Sequence, residues 1–181
     1  MATKQQIAVR DRMEDARQEA RNYYLTGEID LADVGYMSQF LLLYPVRSTQ
    51  KKPINLILNT PGGGVYAALG IYDTLRGCGH KIHTKAVGVC MSAGVLLLQA
   101  GDERVATPNT TFMIHEAAGF TGGYVSHAEA SQKELTRVHT LAKQLIEARI
   151  GRKLPVRKGG TPTFLTAEQA LEMNLIDRIE Y

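Results

Sequence analysis

The chain has 181 residues, 44% of them hydrophobic and 22% charged, which suits one soluble globular domain with a sizeable core. Lys plus Arg number 21 and Asp plus Glu 18, and the resulting formal charge of +3 is too mild to argue for nucleic acid. The polar first twenty residues hold no apolar signal core and no apolar run reaches the length of a membrane span, so a cytoplasmic location away from membranes is expected.

In chain order, residues 8–21 read as a charged helix. "NYYLTGEI" (22–29) reads as a short strand turning at Gly27. "DVGYMSQFLLLYP" (33–45) has helical apolar spacing and stops before Pro45. "PINLILNT" (53–60) predicts a strand, Gly62, Gly63 and Gly64 a turn, and "VYAALGIYDTLRG" (65–77) a helix ending in Gly77. Another strand is expected over 81–89, a helix over 92–101, and short strands around a Pro-Asn turn over 104–119. The basic stretch "GRKLPVRKGG" (151–160) reads as a solvated loop.

Residues 127–151 predict a long helix with an apolar stripe at Leu135, Val138, Leu141, Leu145 and Ala148. A last helix is expected over 166–177, capped by Thr166 with Gln169 three residues on, and "RIEY" reads as a final strand. Strand–helix alternation argues for an α/β fold with a mainly parallel sheet and no internal domain linker.

Cys78 and Cys90 lack metal-ligand spacing, so buried free thiols are expected, with no zinc, no disulfide and no cofactor. Gly62, Gly64 and Ala67 match a loose G-x-G-x-x-A pattern, but the next strand ends at "AVGVC" without an acid for a ribose, and no phosphate-binding P-loop pattern exists. The glycine turn is left as a close approach of helix and strand, or as a set of N–H groups for an oxyanion.

Ser92 sits where strand "KAVGVCM" becomes helix "SAGVLLL". Serine is a favoured helix N-cap, and that is the plain reading. The alternative is a nucleophile on a sharp strand-to-helix turn, although Cys90 stands at the first Gly position of G-x-S-x-G. His115 ends an apolar strand in "FMIHEAAG", where it can serve as general base. His80, His83, His127 and His139 are less well placed.

Taken in order, these stretches resemble the ClpP family, the proteolytic subunit of Clp proteases, over roughly residues 21–177. "LILNTPGGGVYAALGIYDTLR" is similar to the family's "INSPGGSV…IYDTM", with Gly64 where serine is usual. "AVGVCMSAGVLLLQAG" resembles its nucleophile block and "PNTTFMIHEAAG" its "PNSRVMIHQP". "YYLTGEI" resembles its first core strand and "FLTAEQALEMNLID" its "FLSAPEAVEYGLVD".

The resemblance implies a ClpP/crotonase-type ββα spiral in a single domain over 1–181. Its parts are a charged segment (1–20), a core (21–125), a protruding handle helix (126–150) and a C-terminal part of the core (151–181). It implies serine endopeptidase chemistry on polypeptides, with Ser92 as nucleophile, His115 as general base and the N–H groups of Gly63 and Ala93 as the oxyanion hole. It implies a homo-oligomer of two stacked heptameric rings, with "GFTGGYVS" (119–126) pairing as an edge strand between rings, and a Clp-type ATPase unfoldase as partner. Two departures stand out. The family's apolar N-terminal start, which meets the ATPase, is replaced by a charged segment. The position of the catalytic acid is Pro162. Thr161 or Thr163 could orient the imidazole instead, Glu116 faces away, and Asp177 or Glu168 are the other acids to consider. A catalytically weak or inactive ring subunit is the alternative. A crotonase-type acyl-CoA enzyme shares the fold but uses no such Ser-His pair.

Overall fold

Burial alternates along β2 (Ile54–Gly63): Ile54, Leu56, Leu58 and Thr60 face the core, while Asn55, Ile57 and Asn59 are more open. In this computed structural model, which describes residues 21–43, 52–119 and 124–181, β2 lies inside a seven-stranded sheet. Its parallel neighbours are β1 (Asn22–Ile29) and β3 (Ile82–Met91). β4 (Glu103–Ala106) and β7 (Arg178–Ile179) extend the sheet, also in parallel. β3 changes partner along its length: His83 to Ala86 pair with β4, and Val89 to Met91 pair with β5 (Thr111–Ile114). β6 (Thr163–Leu165) then pairs antiparallel with β5.

Between the strands run α1 (Leu31–Leu42), α2 (Val65–Gly77) and α3 (Ala93–Leu98), followed by α4 (Val125–Ile150) and α5 (Ala167–Glu172). The α/β class with a parallel-dominated sheet is as expected. Thr166 and Gln169 form the expected capping box at α5. Leu56, Leu58, Ile71, Leu75, Leu96, Leu97 and Phe112 are among the fully buried side chains that hold sheet and helices together.

Several boundaries differ from the expectation. β1 does not turn at Gly27; it runs on through a register shift between Thr26 and Glu28 in which β2 carries one extra residue, and Glu28 and Ile29 go on to pair with Gly62 and Gly63. The last helix ends at Glu172 rather than Asp177. The seam of α4 is rotated from the expected stripe. Val138, Ile146 and Ile150 are buried and Leu135, Ala142 and Leu145 half-buried, while Ala148 is exposed. In the basic stretch the charged residues described are exposed, but Leu154 is buried and Val156 packs against the core. Residues 8–20 of the helix expected over 8–21 and residues 120–123 of the expected edge strand lie outside the described residues; Arg21 is a turn residue, and Val125 and Ser126 open α4 instead of a strand. Among the described residues no helix is long and apolar enough to cross a membrane.

Candidate active site

The site begins with a distortion in β3. Leu58 pairs with Ala86, but Thr60 pairs with Cys90, so β3 carries two more residues than β2 over this span. Val89 N–H donates to the Asn59 side-chain oxygen at 3.2 Å, which fills the gap in the ladder. Such a bulge bends a strand and re-aims its end. Here the end is the turn that carries Ser92, whose N–H donates to Met113 O at 2.8 Å and so fastens the turn to β5.

Ser92 has φ 52° and ψ −119°, a backbone region costly for any residue with a Cβ. Its side chain makes no capping bond to α3. Instead Ser92 Oγ lies 2.7 Å from His115 Nε2, just past the end of β5. The plain capping reading is therefore incorrect: the hydroxyl points to an imidazole and away from the helix it precedes.

The glycine turn exists for close approach. A Cβ on Gly62 would come within 2.8 Å of both Ser92 Cβ and Met91 O, and Gly62 itself has φ 101°. A Cβ on Gly63, at φ 148°, would come within 2.6 Å of Ile29 N and run into Ile29 O. Only glycine lets β1, β2 and the Ser92 turn meet here. Gly63 and Ala93 line the same cavity, of about 270 Å³, as Ser92 and His115. Ala93 is the first residue of α3, so its N–H has no acceptor within that helix. Beneath the turn, Cys90 is fully buried and its thiol is pushed up to about 12 by that burial, so it stays protonated and inert.

A family model described as Clp protease matches residues 5–180. The chain belongs to the Clp protease family. It is a ClpP-like peptidase of the serine class with the ClpP-type α/β fold, and that membership sharpens the question of what stands behind the imidazole.

In this Clp protease chain β5 and β6 pair Ile114 with Thr163, so one further step of the register sets Pro162 opposite His115. Proline offers no carboxylate there. Thr163 Oγ1 donates to Pro155 O at 2.9 Å and is committed elsewhere. Glu116 accepts from Gly160 N–H at 3.1 Å, pinning the turn next to Pro162 rather than the ring. Asp177 is held by Arg104: its Oδ1 meets Arg104 Nη2 at 2.5 Å and its Oδ2 accepts from Arg104 Nε at 3.1 Å. Glu168 lies exposed in the first turn of α5. Among the described residues no carboxylate bonds to His115.

One residue set aside in the sequence turns out to line the cavity. His139 sits four residues beyond Leu135 and four before Lys143, and all three face the cavity from α4. The i, i+4 spacing from Leu135 was the available signal. His80, His83 and His127 do not line this cavity.

Proposed function

We propose that this Clp protease chain is an endopeptidase in which Ser92 attacks the peptide carbonyl and His115 is the general base. The observation that carries this is the 2.7 Å contact between His115 Nε2 and Ser92 Oγ, made by a serine in a strained backbone conformation. For Nε2 to accept the serine proton, Nδ1 must carry the ring hydrogen. As the C–O bond forms, the carbonyl electrons move to oxygen, and the N–H groups of Gly63 and Ala93 stabilise that charge. The imidazolium returns the proton to the leaving amine, the C–N bond breaks, and an acyl-enzyme on Ser92 remains. Water, deprotonated by His115, then releases the acid.

The site works in a closed chamber of two stacked heptameric rings built from a single domain over 1–181, with α4 as the handle between rings. The polypeptides it cuts are delivered in the cytoplasm by a Clp-type ATPase unfoldase, and neither metal nor cofactor takes part. With Pro162 in the acid position and no carboxylate bonded to His115 among the described residues, the imidazolium lacks that anionic support, so the activity is weak and greatest on short activated peptides. In another serine protease, loss of the acid costs about 10⁴-fold in kcat while leaving measurable catalysis. That vacancy also favours the second reading, a subunit kept for ring assembly with little turnover.

Labelling of the intact protein with a fluorophosphonate tests the first reading. Wild type takes the label and Ser92→Ala, still folded, does not. Equal labelling of both removes Ser92 from the mechanism. Absence of label on folded wild type leaves the ring-subunit reading.

A further inference from the structure

The wall that α4 gives the cavity is unlike the rest of its lining. Val95, Ile114, Leu135, Ile146 and Val156 make it apolar, but His139 and Lys143 stand side by side on the same helical face. Among the described residues none that lines the cavity carries a carboxylate. Lys143 Nζ is 3.7 Å from Glu147 Oε1, at the outer limit of an ion pair. Glu147 is already engaged more closely, by Leu154 N–H at 2.9 Å and Lys153 Nζ at 3.1 Å. Two ammonium groups thus share one carboxylate, and Lys143 brings a surplus positive charge to the cavity.

His139 adds a donor. Its Nδ1 accepts the Ala117 N–H at 3.3 Å, so in the neutral ring the hydrogen is on Nε2. A cavity with an apolar body, an ammonium group and a second N–H donor suits a side chain with an apolar stem and an anionic tip. A lysine or arginine side chain would bring a second cation to Lys143.

We propose that Lys143 and His139 make this cavity a recognition site for a glutamate side chain next to the scissile bond, so that Lys143 is a specificity-determining residue. This rests on the reading of Ser92 as the nucleophile bordering the same cavity.

The test uses three otherwise identical labelled peptides with Leu, Gln or Glu before the scissile bond. Binding is measured to the full-length Ser92→Ala protein and kcat/KM on the Ser92 protein. The Glu peptide should be favoured over its neutral isostere Gln by about fivefold, a partly exposed charge-assisted contact being modest in strength. Lys143→Met should bring the Glu-to-Gln ratio to about one, and Lys143→Arg should keep it above one. Equal handling of Glu and Gln, or a preference that survives Lys143→Met, overturns the proposal. Turnover of the Leu peptide alongside such equality leaves the peptidase standing. A Glu preference in binding that Lys143→Met abolishes, with no turnover and no phosphonate label on wild type, overturns the peptidase reading and with it the place beside a scissile bond, and leaves only a glutamate-binding cavity. Failure of every peptide both to bind and to be cut overturns both.

Discussion

Ser92 holds two costs at once, a left-handed backbone and a hydroxyl given to a histidine, and its neighbours are chosen to permit both. The contrast between adjacent glycines tests this. Gly63→Ala should lower stability by about 2 kcal/mol or more and slow phosphonate labelling, since the new Cβ meets the Ile29 backbone and φ is positive. Gly64 has φ −64°, and its Cβ would sit 3.5 Å from Ile29 O, an ordinary contact. Gly64→Ser should therefore change the melting temperature little; parallel thermal melts of the two variants decide it. The acid position gives a gain-of-function test. Pro162→Asp places a carboxylate one register step from Thr163, opposite His115, and hydrolysis of activated peptides should rise about tenfold or more. No rise, beside a wild-type rate already high for a serine peptidase, would mean that the imidazole is served otherwise. At this scale short motifs in a known order point to Ser92, His115, Gly63, Ala93 and Pro162, and the structure sets Ser92 Oγ 2.7 Å from His115 Nε2. It was illegible where a role depends on the third dimension. His139 reads from the sequence only as a residue of the long helix, less well placed than His115, and Asp177 reads as another acid to consider, whereas the structure sets it against the Arg104 guanidinium.

Elements are joined by contacts that no periodic pattern announces. Arg104 on β4 is buried, and its side chain reaches Gln99 Oε1 at 2.7 Å, Asn174 O at 2.9 Å and the Asp177 carboxylate. These partners lie as far as 73 residues away in sequence and fasten the end of the chain to the sheet. Burial pushes the Asp177 carboxyl up, but the Arg104 guanidinium and its backbone N–H outweigh that and hold it below the usual carboxylate range. Because the folded value is depressed, the pair stabilises the fold above the unfolded value of about 4 and its contribution is lost as the pH falls through the folded one. Asp177→Asn should cost about 1–2 kcal/mol at neutral pH, a figure reduced because the carboxylate is partly exposed, and should flatten the acid limb of a stability-against-pH curve. An unchanged acid limb would assign acid sensitivity to other carboxylates. Element types were readable from composition and spacing: each strand–helix alternation between β2 and α3 was expected. The partner switch of β3 was not, because it is set by a bulge and a side-chain amide, neither of which disturbs the hydrophobic pattern.

Over the whole molecule, the imbalance is in α4. From Val125 to Lys133 every residue except Ala128 is exposed, about 14 Å of helix at 1.5 Å per residue. Tyr124 and Val125 at its start are 78% and 76% exposed. These exposed turns gain little from packing on their own core, and we predict that contact with another chain steadies them. Sedimentation should find a ring-sized assembly, and Val125→Asp should shift it to smaller species. A wild-type monomer at micromolar concentration would contradict the chamber. Cys90 offers an internal gauge for such measurements. Its thiol is sealed under the Ser92 turn and protonated, whereas Cys78 is partly open. An alkylating reagent at mildly alkaline pH should therefore modify Cys78 promptly and reach Cys90 only when β3 leaves the sheet. The lag between the two adducts, read by mass, is a clock for the opening of the Ser92 turn, and it needs no engineered reporter.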